Sequence, residues 1–243
     1  IDGEFSNDLS GISISLSSNG LILAIGAHQN DGNGDNSGHV RVYEWNIESS
    51  PNVWSQLGTD IDGENAGDKS GSSIALSSGG TVLAIGAPFN DGNGDNSGHV
   101  RVFQYNHSSS PNSWIQRGLD IDGDSSGDRF GTAVDISSDG TIIAIGATHN
   151  DNNGVDSGHV RVYEWNESVW IQRGSDIVGE SDGDRSGSYL SISSYGTVIA
   201  IGAPYNDGNG DDSGHARVYE WNGTSWIQRG ADIDGEGAFD FCT

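Results

Sequence analysis

The tetrapeptide Ala-Ile-Gly-Ala occurs four times, ending at Ala27, Ala87, Ala147 and Ala203, at spacings of 60, 60 and 56 residues. This period constrains the fold more than any other feature, because so small a unit buries its apolar face against neighbouring copies of itself. The four-residue difference lies in a loop: Trp45 to Trp54 and Tyr105 to Trp114 are nine residues apart, whereas Trp165 to Trp170 and Trp221 to Trp226 are five apart. Residues 30–42 and 90–102 are identical, the mark of a recent duplication, and no domain boundary interrupts the array.

Each unit reads as four short strands. Gly71 to Ser77 alternates polar and apolar residues, with the apolar column Ile14, Ile74, Val134 and Leu190 across the copies, a period of two. The dipeptides Asn19-Gly20, Gly79-Gly80, Asp139-Gly140 and Tyr195-Gly196 then suit the positive φ angles of a two-residue hairpin. Val82 to Ala87 is a continuous apolar run, expected to be buried on both faces. His99 to Tyr105 carries aromatics, and Trp114 to Gly118 returns through the loop of variable length. Four antiparallel strands per unit predict an all-β fold, a β-propeller of four blades, in preference to an open β-solenoid with its shorter coils. The units run 1–60, 61–120, 121–176 and 177–232, with a C-terminal tail 233–243. If blades are built across the repeat boundary, the last strand, around Trp226, completes the blade begun at the amino end and closes the ring. Ile233-Asp-Gly-Glu236 repeats Ile1-Asp-Gly-Glu4, so the tail is surplus to such a ring; it is disordered, packs on the ring, or reaches a neighbouring chain.

The run Gly71-Ser-Ser-Ile-Ala-Leu-Ser-Ser78, followed by Gly86-Ala-Pro88, Asp91-Gly-Asn-Gly-Asp95 and Ser97-Gly-His-Val-Arg-Val102, resembles the FG-GAP repeat. That repeat is the blade unit of integrin α-subunit propellers and of many secreted microbial and algal proteins. Its two halves are best preserved as Phe130-Gly131 and as Gly86-Ala-Pro88 or Gly202-Ala-Pro204, and the resemblance covers essentially the whole chain. It implies a propeller used for adhesion or interaction, with diverse partners. The integrin type carries its calcium loop before the Gly-Ala-Pro; here the turn at Asn19-Gly20 leaves no room for one, and the candidate loop follows.

Asp and Glu number 35 against 10 Lys and Arg, a net charge of −25, and with a single lysine, Lys69, the composition excludes a nucleic-acid partner. No apolar run approaches the length that inserts in a membrane. The chain opens on Ile1 and lacks methionine, which reads as a processed product or a fragment of something longer. Aspartates gather in recurring loops. Asp31, Asn33 and Asp35 place side-chain oxygens at alternate positions between glycines, the pattern that wraps Ca²⁺ in hard oxygen ligands. The same set recurs as Asp91, Asn93 and Asp95, and as Asp207, Asn209 and Asp211. In the third copy Asp151 and Asn153 remain, Val155 takes the third place, and Asp156 is the substitute oxygen. The other reading of these loops is a plain turn bonded to its own backbone. No glutamate stands at the twelfth position, so the loop is not an EF-hand. The second acidic loop, Asp60 to Asp68 and its counterparts, reads as a solvated connection.

His39, His99, His159 and His215 share one repeat position beside Arg41, Arg101, Arg161 and Arg217. A ring of histidines could hold a metal; we read them as structural, with the arginines paired to acidic loops. Because nearly every Ser, His and Asp recurs, no unique nucleophile stands with a base and an orienter, and the sequence reads as non-enzymatic. Sequons at Asn106, Asn166 and Asn222 fall in one loop of three copies, whereas the first copy has Asn46-Ile-Glu48. They predict N-glycosylation of a secreted protein, the alternative being a polar hairpin. Cys242, the lone cysteine, is a candidate for an intermolecular disulfide. The expectation is an extracellular structural or adhesive glycoprotein, stabilised by calcium, that self-associates into a fibre or coat or engages other extracellular proteins or glycans. The alternative is a calcium-dependent, lectin-like binding module.

Overall fold

The computed structural model describes residues 1–47, 49–108 and 113–242; Glu48, residues 109–112 of the longer hairpin and Thr243 of the tail lie outside them. The described residues form four antiparallel sheets, and no helix among them is long and apolar enough to cross a membrane. The first blade contains β1 (Ser13–Leu16), β2 (Ile22–Ala27), β3 (His39–Asn46), β4 (Val53–Gln56) and β5 (Ile61–Asp62). The second contains β6 (Ser73–Leu76), β7 (Val82–Ala87), β8 (His99–Asn106), β9 (Ser113–Gln116) and β10 (Ile121–Asp122). The third contains β11 (Phe130–Ile136), β12 (Ile142–Ala147), β13 (His159–Trp165), β14 (Trp170–Gln172) and β15 (Ile177–Val178). The fourth contains β16 (Tyr189–Ile192), β17 (Val198–Ala203), β18 (His215–Trp221), β19 (Trp226–Gln228) and β20 (Ile233–Asp234). The four main strands of each blade follow chain order, and the two-residue fifth returns to the start of the third, as in Ile61 opposite Val40. An all-β propeller of four blades is therefore the architecture.

Blades stack by interleaving two kinds of apolar column. Ile74, Leu76, Leu83 and Ile85 pack on Ala24, Val40, Val42 and Ile61 of the first blade, while Ala75, Val82, Ala84, Val100 and Val102 receive Val134, Ile136, Ile143 and Ile145 of the third. Small residues on one face and large ones on the next fill the seam without voids. A third cluster joins the last two blades, and among the described residues none joins the fourth to the first. The Ala-Ile-Gly-Ala glycine explains itself here: a Cβ at Gly26, Gly86 or Gly146 would run into the carbonyl oxygen of Gly71, Gly131 or Gly187 of the following blade.

Two local features depart from the sequence expectation. The hairpin between first and second strands is longer than two residues, since Gly20 N–H bonds Ser17 O and Ser17 N–H bonds Ile22 O; the glycine, at φ 71°, supplies the left-handed step. And β19 stays on β18 of its own sheet, so the four main strands of a blade come from one repeat and no exchanged strand ties the fourth blade to the first, while the two-residue fifth strand comes from the start of the following unit. The tail packs on the fourth blade as the segment after β5 packs on the first: Cys242 bridges Gly214 as Ser70 bridges Gly38.

Candidate functional sites

The loop after each Ala-Ile-Gly-Ala is closed by its own side chains. Asp31 Oδ1 accepts the Asn36 N–H at 2.8 Å, with Asn36 at φ 52°, and Asp91, Asp151 and Asp207 do the same for Asn96, Asp156 and Asp212. Asp156 thus stands where Asn36 does, while exposed Val155 stands where Asp35 does. Asn33, Asn93, Asn153 and Asn209 reach across to the second acidic loop, each amide donating to the carbonyl of Gly63, Gly123, Gly179 or Gly235 at 2.8 Å. The two acidic loops, separate in the sequence, therefore form one surface. Asp31, Asp35, Asp91, Asp95, Asp207 and Asp211 are exposed, and no ion pair ties any of them among the described residues. Uncompensated hard oxygens of this kind fit Ca²⁺, with each asparagine able to offer only its amide oxygen; the third copy is one carboxylate short.

Within the second loop one aspartate is not solvated at all. Buried Asp8, Asp68, Asp128 and Asp184 accept the side-chain amides of Asn30, Asn90, Asn150 and Asn206 at 2.9–3.0 Å, tying each seam to the following loop. Burial pushes the Asp128 carboxyl up. The signal for this pair was present in the sequence, as an Asp and an Asn recurring 22 residues apart in every copy.

His39, His99, His159 and His215 are buried at the start of the third strands. Burial pulls His99 and His159 down to about 4, so these rings are neutral at pH 7. Three of them face acids from both flanking segments: Glu4/His39/Asp60, Glu64/His99/Asp120 and Glu180/His215/Asp232 each bring one nitrogen and two oxygens within 4.8 Å of one another. These are clusters that could hold a cation. Neighbouring arginines share the same acids, with Nη1 at 3.5 Å from Glu4 in Arg41, 3.7 Å from Glu64 in Arg101 and 3.2 Å from Glu180 in Arg217. In the third blade an aspartate, Asp124, replaces the glutamate, and Arg161 takes both it and Asp176, the latter through two bonds of 2.9 Å. That copy is closed by its own guanidinium.

A cavity of about 530 Å³ lies where the blades converge, and all four repeats line it. His28, Phe89, Arg129, His149, Arg185 and Tyr205 are among its walls, and no Asp or Glu is, among the described residues. Arg129 lies over the Phe89 ring at 5.1 Å and Arg185 over the Tyr205 ring at 4.8 Å. Sequence reasoning missed this site.

The sequon residues sit at hairpin tips, Asn166 and Asn222 exposed and Asn106 half-buried, each Oδ1 accepting the N–H two residues on. Cys242 is half-buried with a free thiol.

Residues 59–103 and 120–163 match the FG-GAP repeat model. Each match runs from before the fifth strand of one blade through most of the third strand of the next, taking in one glycine from each of two successive seams, Gly71 and Gly86 in the first and Gly131 and Gly146 in the second. No curated protein matches the sequence significantly. In shape the chain is similar to the periplasmic gluconolactonase of Pseudomonas aeruginosa, with a TM-score of 0.59 at 16% identity over 91% of this chain and 56% of that one. It is also similar to a Bacteroides uniformis protein with a provisional 6-phosphogluconolactonase assignment, with a TM-score of 0.50 at 10% identity over 92% of this chain and 71% of that one. The β-propeller domain of the trilobed protease from Pyrococcus furiosus aligns at a TM-score of 0.47 and 10% identity, over 91% and 57% of the two chains. The chain spans a little over half the length of the Pseudomonas protein. The expectation of a non-enzymatic chain is corrected by these neighbours, since lactonases share the scaffold. Recurrence of Ser, His and Asp across repeats was no ground for excluding catalysis, because an active site on a propeller can be assembled from different blades.

Proposed function

From a chain that is an FG-GAP-repeat β-propeller, we propose a structural role: copies join end to end in the extracellular space, the exposed face of the fourth blade of one docking on the exposed face of the first blade of the next. The carrying observation is a thrice-repeated seam with both of its halves left bare. Ile74 and Leu76, covered by the preceding blade, are 8% exposed, whereas their counterparts Ile14 and Leu16 are 68% and 56% exposed. On the opposite face Ile61, Ile121 and Ile177 are each 6% exposed and Ile233 is 57%.

Polar hooks are left over in the same register. Trp114, Trp170 and Trp226 donate their indole N–H to Leu57 O, Arg117 O and Arg173 O of the blade before; among the described residues Trp54 meets no such carbonyl. Arg117 and Arg173 lie over Trp165 and Trp221 of the blade after, and among the described residues Arg229, in the same repeat position, lies over no ring. A second copy supplies each missing half, and burying one aliphatic side chain contributes about 1.5–3 kcal/mol. Head-to-tail contacts of this kind give rings if the rotation closes and filaments if it does not.

Calcium in the Asp31, Asp91 and Asp207 loops belongs to the same proposal, neutralising carboxylates that crowd each seam. Light scattering and sedimentation across a concentration series test the assembly. Mass is expected to grow with concentration, and Ile14→Asp with Leu16→Asp to hold the chain monomeric without lowering its melting temperature. A monomer at every concentration would sink the idea.

A further inference from the structure

We propose that the cavity between the blades binds a small oxyanion on a ring-shaped body, a carboxylate or phosphate gripped by Arg129 and Arg185. The chain holds 35 acidic residues and 10 basic ones, so a wall chosen at random is acidic. This wall has two arginines, two histidines and, among the described residues, no carboxylate. Lys69 stands 4.3 Å over Phe89 at its edge, bringing three of the ten basic residues to one place.

The guanidinium groups here are also uncommitted. Arg41, Arg101, Arg161 and Arg217 spend theirs on acids and carbonyls, and Arg117 and Arg173 bond Gly140 O and Gly196 O. Arg129 and Arg185 have only the flat faces of Phe89 and Tyr205, and no ion pair among the described residues. Stacking leaves the edge of the fork, with its paired N–H groups, free for the two oxygens of a carboxylate or phosphate.

Lys69, Arg129 and Arg185 occupy the same repeat position, with φ values of 52–55°, and Leu9 at 53° and Phe241 at 50° share it, so one recurring left-handed turn presents all three basic side chains alike. Burial, with Lys69 and Arg129 next in effect, pulls His28 and His149 down, so both are neutral at pH 7 and the cavity's charge rests on its arginines. With cations lying over Phe89 and Tyr205, the apolar walls against which a ring packs are those of Ile12, Pro88, Pro204 and Phe241. Asp151 and Asp156 act on His149 from the neighbouring loop, and acids farther off are screened over roughly 8 Å at physiological ionic strength.

Isothermal titration of the full chain with glucuronate, glucose and inorganic phosphate tests this. Glucuronate is expected to bind at least about tenfold more tightly than glucose, the worth of one charge-assisted hydrogen bond. Arg129→Gln and Arg185→Gln should each weaken it about tenfold or more while leaving the melting temperature unchanged. The ratio of glucuronate to phosphate affinity then separates the contribution of the ring from that of the oxyanion. Equal binding of glucose and glucuronate, no binding of either anion, or variants as tight as the parent would overturn the proposal, and phosphate binding without glucuronate binding would overturn the ring-bearing ligand.

Discussion

A methyl group at Gly86 would collide with the Gly131 carbonyl, and backbone on both sides leaves neither atom free to yield. Gly86→Ala is therefore expected to cost about 1–3 kcal/mol, seen as a lower urea midpoint at unchanged slope. Gly237→Ala, with open space around it, should be neutral. Equal midpoints for the two would remove the close-approach explanation. The recurrence of Gly26, Gly86 and Gly146 was legible in the sequence, but its cause was not, because the obstructing residue belongs to the next repeat. The buried Asp68–Asn90 pair was hidden differently: aspartate and asparagine are also ordinary turn residues, and nothing in their identity separates a solvated turn from a buried tie.

Strands with a clear period were legible almost to the residue, Val82–Ala87 among them, because burial on both faces leaves an unbroken apolar run. The two-residue strands such as Ile61–Asp62 were not, since two residues carry no periodicity. Nor was it legible that the last strand stays at home, since the same fourth strand could pair within its own sheet or with a sheet begun at the amino end. One element makes a prediction of its own. Residues 1–10 and 233–242 fold alike, with Phe5 N–H bonding Asp8 and Gly237 N–H bonding Asp240, and both fit the segment that fills an inner seam once. Two docked copies bring both segments to one seam, so one must leave. Removing residues 235–243 is expected to strengthen end-to-end association several-fold in sedimentation; weaker or unchanged association would show that the tail is not a competitor.

Across the whole molecule the charge of −25 is unevenly spread. Lys69, Arg129 and Arg185 are dispersed along the chain, and only the curvature of the blade array gathers them, so a net figure concealed the basic cavity. Elsewhere acids dominate, and one Ca²⁺ in each of the Asp31, Asp91 and Asp207 loops would change −25 by 3 × 2, to −19. The melting temperature is expected to fall by several degrees in EGTA relative to millimolar Ca²⁺, as mass action on a native-state ligand requires. An unchanged value removes calcium from the stability of the fold.

Because the four main strands of every sheet come from one repeat, and each sheet meets the next through one recurring seam, the number of blades can change without changing how any one of them is built. A gene of this design can gain or lose a repeat by unequal exchange and still encode a foldable product, its stability changing by one increment each time. The identity of residues 30–42 and 90–102 is the imprint such an exchange leaves.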